Sequence, residues 1–296
     1  MSASAVKIKK PNDGNGETMN ASFEKPYISI TGITNAHEAR SVAKTMHNHT
    51  RRTQIPHMGA FGVLVNESSF AGYTSLNLRC PRMGLIARIF EIALVINPNI
   101  FTVIHYACKN PETLSGSVRK IVTLPGLYYN AEENGLCDAI QLNGGSQQVP
   151  VNELAKIKNE FPGLHIIYQV PNSDLCMSTT SVLKSIDERA EFIDYVLFDA
   201  SGGRGVPMDM GLMTFYGMAL RDRAKTAFGF AGGLNENTVA DRIYEFSIKL
   251  GHSDFSIDVE RGVRNPFSDQ YGDDELDLHK AENFFANAVQ AVAKRS

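Results

Sequence analysis

Ala227-Phe228-Gly229-Phe230-Ala231-Gly232-Gly233-Leu234-Asn235-Glu236-Asn237-Thr238-Val239 is the stretch on which the reading of the fold turns. Residues 227–231 form a buried apolar strand, Gly232 and Gly233 a turn, and Asn235 the N-cap of a helix on which Val239, Ile243, Phe246 and Leu250 recur at helical spacing. Two glycines between a strand and a helix N-terminus leave backbone N–H groups unshielded, and the helix dipole adds positive potential, so the turn suits a phosphate. A Gly-Gly pair also serves as a plain tight turn, and only its neighbours decide between the two.

The same strand-then-helix unit recurs along the chain. Strands are predicted at residues 26–34, 59–66, 100–107, 137–142, 164–170, 195–200, 227–231 and 255–259. Asn35 caps a first helix with Ala36, Ala39, Ala43 and Met46 on one face. A long polar loop, 67–81, leads to a helix bearing Leu85, Ile86, Ile89, Phe90, Ala93 and Ile96. Further helices are predicted near 111–122, 151–161, 180–192 and 210–223, and one over 274–293 closes the chain. Eight such units predict an α/β chain with a single (β/α)8 (TIM) barrel over residues 26–296, preceded by a flexible tail over 1–25. An open doubly wound sheet would ask for G-x-G-x-x-G after the first strand, and Thr31-Gly32-Ile33 is not that.

Composition narrows the partners. The chain has 296 residues, 43% of them hydrophobic, enough for a barrel core. A net charge of −3 makes no electrostatic case for nucleic acid or an anionic membrane. The longest apolar run, residues 92–96, falls far short of the ~18 residues of a spanning helix. Four scattered cysteines without a C-x-x-C pair, and an N-terminus without an apolar signal region, predict a reduced, cytoplasmic protein. No cofactor is called for, and no metal: His47 and His49 end a helix in a polar patch, with His57 apart from them. The expected partner is a small phosphorylated metabolite, and the expected assembly a monomer or homodimer.

In a barrel, chemistry collects where strands end and helices begin. The eighth unit reads Ser256-Ile257-Asp258-Val259-Glu260-Arg261-Gly262-Val263-Arg264. Gly262 after strand eight, beside Gly232 and Gly233 after strand seven, is an arrangement that holds phosphate in many barrels. Asn235 joins that site, Arg261 or Arg264 adds charge, and Asp258 orients the loops.

Six segments in order resemble phosphoribosylanthranilate isomerase. They are Ser29-Ile30-Thr31-Gly32-Ile33-Thr34, Cys80-Pro81-Arg82, Gln141-Leu142-Asn143-Gly144, Asp199 with Gly202-Gly203-Arg204-Gly205, Ala231-Gly232-Gly233-Leu234-Asn235, and Asp258-Val259-Glu260-Arg261-Gly262-Val263. The resemblance implies an Amadori rearrangement of a phosphoribosylamine, a step of tryptophan biosynthesis, run by one acid and one base. It implies that Asp199 is the acid, that Arg82 clamps a carboxylate, and that Gln141, Asn143, Gly203 and Gly205 contact substrate. The family's base is a first-strand cysteine, and Thr31 stands in that place. An unassisted hydroxyl is almost never deprotonated at neutral pH, whereas a thiol titrates near 8.5. Two readings follow: an isomerase-like enzyme using Asp199 and Thr31, with His105 the best substitute base, or a phosphometabolite-binding protein without catalysis.

Overall fold

Side chains of a strand alternate between its two faces, so a closed sheet has one set of positions pointing at its helices and another pointing inward. The computed structural model of the chain describes residues 25–70, 77–127, 135–143, 149–201, 207–221, 226–268, 270 and 273–294. Residues 1–24 of the tail expected at 1–25, the middle of the 67–81 loop, and Gly144, Gly203 and Gly205 lie outside these.

Eight strands form the sheet: β1 (Tyr27–Thr31), β2 (Met58–Asn66), β3 (Phe101–Ala107), β4 (Ala139–Asn143), β5 (His165–Pro171), β6 (Tyr195–Asp199), β7 (Ala227–Ala231) and β8 (Ser256–Val259). They pair in parallel in chain order, and β8 closes on β1 with Ser29 opposite Asp258. Among the described residues ten α-helices accompany them: α1 (Ala36–Thr53), α2 (Glu67–Phe70), α3 (Ile86–Ile96), α4 (Leu114–Val122), α5 (Val151–Glu160), α6 (Asn172–Leu175), α7 (Thr179–Asp187), α8 (Met210–Arg221), α9 (Val239–Leu250) and α10 (Leu278–Ala293). The (β/α)8 expectation holds.

Outward positions such as Ile28, Ile30, Phe61, Val63 and Phe198 belong to the large core shared with the helices. Each such side chain stabilises the fold by roughly 1.5–3 kcal/mol through removal from water. Phe230 of β7 stacks on Phe246 of α9 at 4.1 Å, which holds the seventh strand–helix unit in place. Inward positions form a second, smaller core of Tyr27, Ala60, Phe101, Val103, Ile167 and Tyr195, among others. Tyr27, Phe101 and Tyr195 meet at centroid distances of 5.3–5.9 Å and plug the bottom of the barrel. Tyr195 donates its hydroxyl to the Lys25 carbonyl at 3.0 Å, pinning the chain where it enters β1.

Several boundaries differ from the sequence reading. Asn235 is not the N-cap of α9: its Oδ1 accepts from the N–H groups of Asn237 and Thr238 and closes a turn, and α9 starts at Val239 with Thr238 as its N-cap. Residues 274–276, assigned above to the last helix, form a short strand antiparallel to residues 264–266, and Asp277 is the N-cap of α10. Part of the 67–81 loop is helical (α2), and α7 ends at Asp187 rather than running to residue 192. Leu85, assigned above to the same helix as Ile86, lies instead in a 3-10 turn before α3 and is 45% exposed.

The residue 274–276 strand exists to deliver Asp274. Arg79, fully buried, donates Nε to both Asp274 oxygens at 3.0 Å and also pairs with Glu260. Arg264 pairs with Asp274 too, and its Nη1 donates to the Gly32 carbonyl at 2.9 Å. Loops following β1, β2 and β8 are therefore tied by one buried ionic cluster. Removing one partner of such a cluster strands the others in low dielectric. Arg79→Ala should cost about 3–5 kcal/mol in chemical denaturation, whereas Arg119→Ala, which breaks the exposed pair with Glu160, should cost under about 1 kcal/mol.

Candidate active site

Toward the C-terminal ends of the strands the inward positions change from apolar to polar. Thr31, His105, Gln141, Gln169, Asp199 and Asp258 all stand there, and all are buried. Above them opens a cavity of about 720 Å³, its solvent-facing mouth included. Its walls include Gln141, Asn143, Asp199, Gly232, Gly233, Asp258, Arg261 and Gly262, which gathers most of the residues singled out in the sequence.

Two turns form one side. Gly232 and Gly233 have φ of +109° and +66°, a region that strongly favours glycine. A Cβ on Gly262 would lie 1.8 Å from the Leu234 carbonyl oxygen, so the turn after β8 presses directly on the turn after β7. The N–H groups of Gly232, Gly233 and Leu234 donate to no acceptor among the described residues. Successive free amides in such a turn make a concavity for an anion. Because α9 starts at Val239, the positive potential comes from these amides more than from the helix end. Asn235 adds little: its N–H donates to the Thr238 hydroxyl and its Oδ1 is taken by the turn. Arg261 lines the cavity, while Arg264 is buried in the ionic cluster, so of the two only Arg261 is placed to meet an anion.

Across the cavity Asp199 is held from three directions. Its Oδ1 accepts from the Ser201 N–H at 2.9 Å and hydroxyl at 3.0 Å, and its Oδ2 accepts from Gln169 Nε2 at 2.7 Å. Gln141 Nε2 donates to Gln169 Oε1 at 3.0 Å, so two amides in series aim one carboxyl. Asn143 lines the same wall. Gln169, Ser201 and Glu260 escaped the sequence reading. Gln169 shares the inward parity of Ile167, as Gln141 shares that of Ala139, and that parity was the available signal.

Thr31 does not reach the cavity wall. It is fully buried, and its hydroxyl donates to Asp258 Oδ1 at 2.9 Å. With its only proton committed, the Thr31 oxygen accepts from His105 Nε2, 3.1 Å away, and the neutral ring carries its proton there. Burial pushes His105 down to about 4, against the opposing pull of Glu260 and Asp199, so the ring is neutral at pH 7. Burial likewise lifts Asp258 to about 6, although hydrogen bonds from Ser29 and Thr31 oppose the rise. Asp258 thus bonds toward the barrel interior, to β1, rather than to the turns after β7 and β8. Gly62 of β2 leaves room for this contact: a Cβ there would come within 2.5 Å of Thr31 Oγ1 and 2.9 Å of His105 Nε2.

Arg82 is exposed at the start of the 3-10 turn before α3 and is not among the residues lining the cavity. His57 is buried on the far side, its Nε2 3.0 Å from the Phe255 carbonyl. Among the described residues no group of three or more His, Cys, Asp or Glu side chains is arranged to hold a metal ion. No helix among them is long and apolar enough to cross a membrane. Gly262→Ala should push the two turns apart, lowering stability by about 1–3 kcal/mol and weakening inorganic phosphate binding by about tenfold or more in calorimetric titration.

No protein-family model matches the chain, and no curated protein matches it in sequence. Among solved structures it is similar to TrpF from Jonesia denitrificans, with a TM-score of 0.51 and 18% identity over 90% of this chain and 96% of that one. It is also similar to triosephosphate isomerase from Bartonella henselae, with a TM-score of 0.46 and 9% identity over 80% of this chain and 92% of that one. The fold of the chain is that of TrpF, in line with the resemblance to phosphoribosylanthranilate isomerase carried by its motifs.

Proposed function

We propose that the chain is an isomerase of a phosphorylated sugar-type substrate, an N-substituted phosphoribosylamine, with the phosphate seated on the turns after β7 and β8. The observation that carries this reading is the pairing, across one cavity, of glycine turns with free amides and a carboxyl aimed by Gln169 and Ser201. A dianion suits the turns because the N–H groups of Gly232, Gly233 and Leu234 have no acceptor among the described residues and Arg261 lines the same cavity. Asp199 then lies at the sugar end. There it gives a proton to the ring oxygen as the C1–O bond breaks and the nitrogen lone pair closes a C1=N⁺ bond.

A second reading is supported by one observation, the replacement of the family's thiol by the buried hydroxyl of Thr31. On that reading the chain binds a phosphometabolite and does not turn it over. The two part on a single assay, phosphoribosylanthranilate turnover beside phosphate binding. Turnover that falls by about 10²–10⁴ in Asp199→Asn, with phosphate affinity unchanged, supports the enzyme. Saturable phosphate binding without turnover supports the binding protein.

A further inference from the structure

We infer that the Asp258 carboxylate is the base of this site, held in place by Thr31 and His105. The inference rests on the isomerase reading above and supplies the proton acceptor that a threonine in β1 leaves missing.

Besides Asp199, three groups lining the cavity among the described residues can accept a proton: Glu260, His105 and Asp258. Glu260 is bound by the buried guanidinium of Arg79. His105 points its Nε2 at Thr31, and burial makes its ring a weak acceptor, near 4. Asp258 has one oxygen fixed by the Thr31 hydroxyl, lines the cavity, and titrates near 6, close to the pH at which a base works best. A phosphate-seating role suits it poorly, since a carboxylate beside a dianion repels it. Its side-chain hydrogen bonds run to Ser29 and Thr31 instead.

The groups around it are defined. From β1 it faces Tyr27, Ser29 and Thr31, and from across the barrel His105 and Asp199; β7 offers no titratable side chain. Asp199 faces the same space closely enough to raise Asp258, so one acid and one base share the cavity. In the step assigned to it, Asp258 takes the proton from C2 of the opened sugar. The C2–H electron pair becomes a C1=C2 bond, and the C1=N⁺ pair returns to nitrogen. The enolamine so formed tautomerises to the amino-ketose. Thr31 is a positioning residue: its hydrogen bond aims the carboxylate and keeps it from rising further.

The test is kcat/KM for phosphoribosylanthranilate against pH, for the unaltered chain, Asp258→Asn, Thr31→Val and Thr31→Ser, with inorganic phosphate binding measured on each. The base must be ionised, so activity should fall below an acid limb centred near pH 6. Asp258→Asn should lose about 10²–10⁴ in turnover while binding phosphate as before. Thr31→Val removes a bond that lowers Asp258, so its acid limb should move to higher pH, and Thr31→Ser should restore it. Full turnover in Asp258→Asn overturns the base assignment alone, and loss of phosphate binding there returns Asp258 to the turns. An unmoved limb in Thr31→Val overturns the positioning role. No turnover by the unaltered chain overturns the isomerase reading and takes the base with it.

Discussion

Pairing of β8 with β1 closes the sheet, and its register sets what the mouth of the barrel contains. Ser29 lies opposite Asp258, so the next inward residue of β1, Thr31, meets the Asp258 carboxylate. A slip of one residue would turn every inward side chain of a strand outward. Thr31, Asp258 and Ser29 would then face the helices, where Ile28, Ile30, Ile257 and Val259 now pack. The apolar outer core therefore fixes the polar inner layer: the burial that stabilises the fold also decides which groups can exchange protons.

The mouth is also mechanically tied. Arg79, Asp274, Arg264 and Glu260 come from segments far apart in sequence, yet they make one ionic cluster under the loops after β1, β2 and β8. A cluster of this kind is weak evidence for net stability, because each charge lost hydration on burial. What it contributes is position. Glu260 is both a member of the cluster and part of the cavity wall, so the placement of the ionic groups and the shape of the site are linked.

Much of the architecture was legible in the residues. Short apolar strands, alternating with helical periodicity, disclosed the eight units, and β7 matches its predicted span residue for residue. Gly232, Gly233 and Gly262 were legible too, since glycine between strand and helix marks a close backbone approach. Three things were hidden. The inward parity of a strand is not stated by any one strand, so Gln169 passed unnoticed while Gln141, in a quoted motif, did not. Arg79 lies 195 residues from Asp274, and no local pattern announces such a pair. A threonine in place of a cysteine reads as a loss until its hydroxyl is seen bonded to Asp258, which only the closed barrel brings near.

Gly62 lends no side chain to the mouth, yet the contact between Thr31 and His105 runs through the space it leaves open. A single methyl group there would wedge β1 from β3. Related barrels that share this arrangement are thus to be recognised by a vacancy as well as by its three occupants, and a sequence keeping the threonine, histidine and aspartate but filling that vacancy has lost the connection between them.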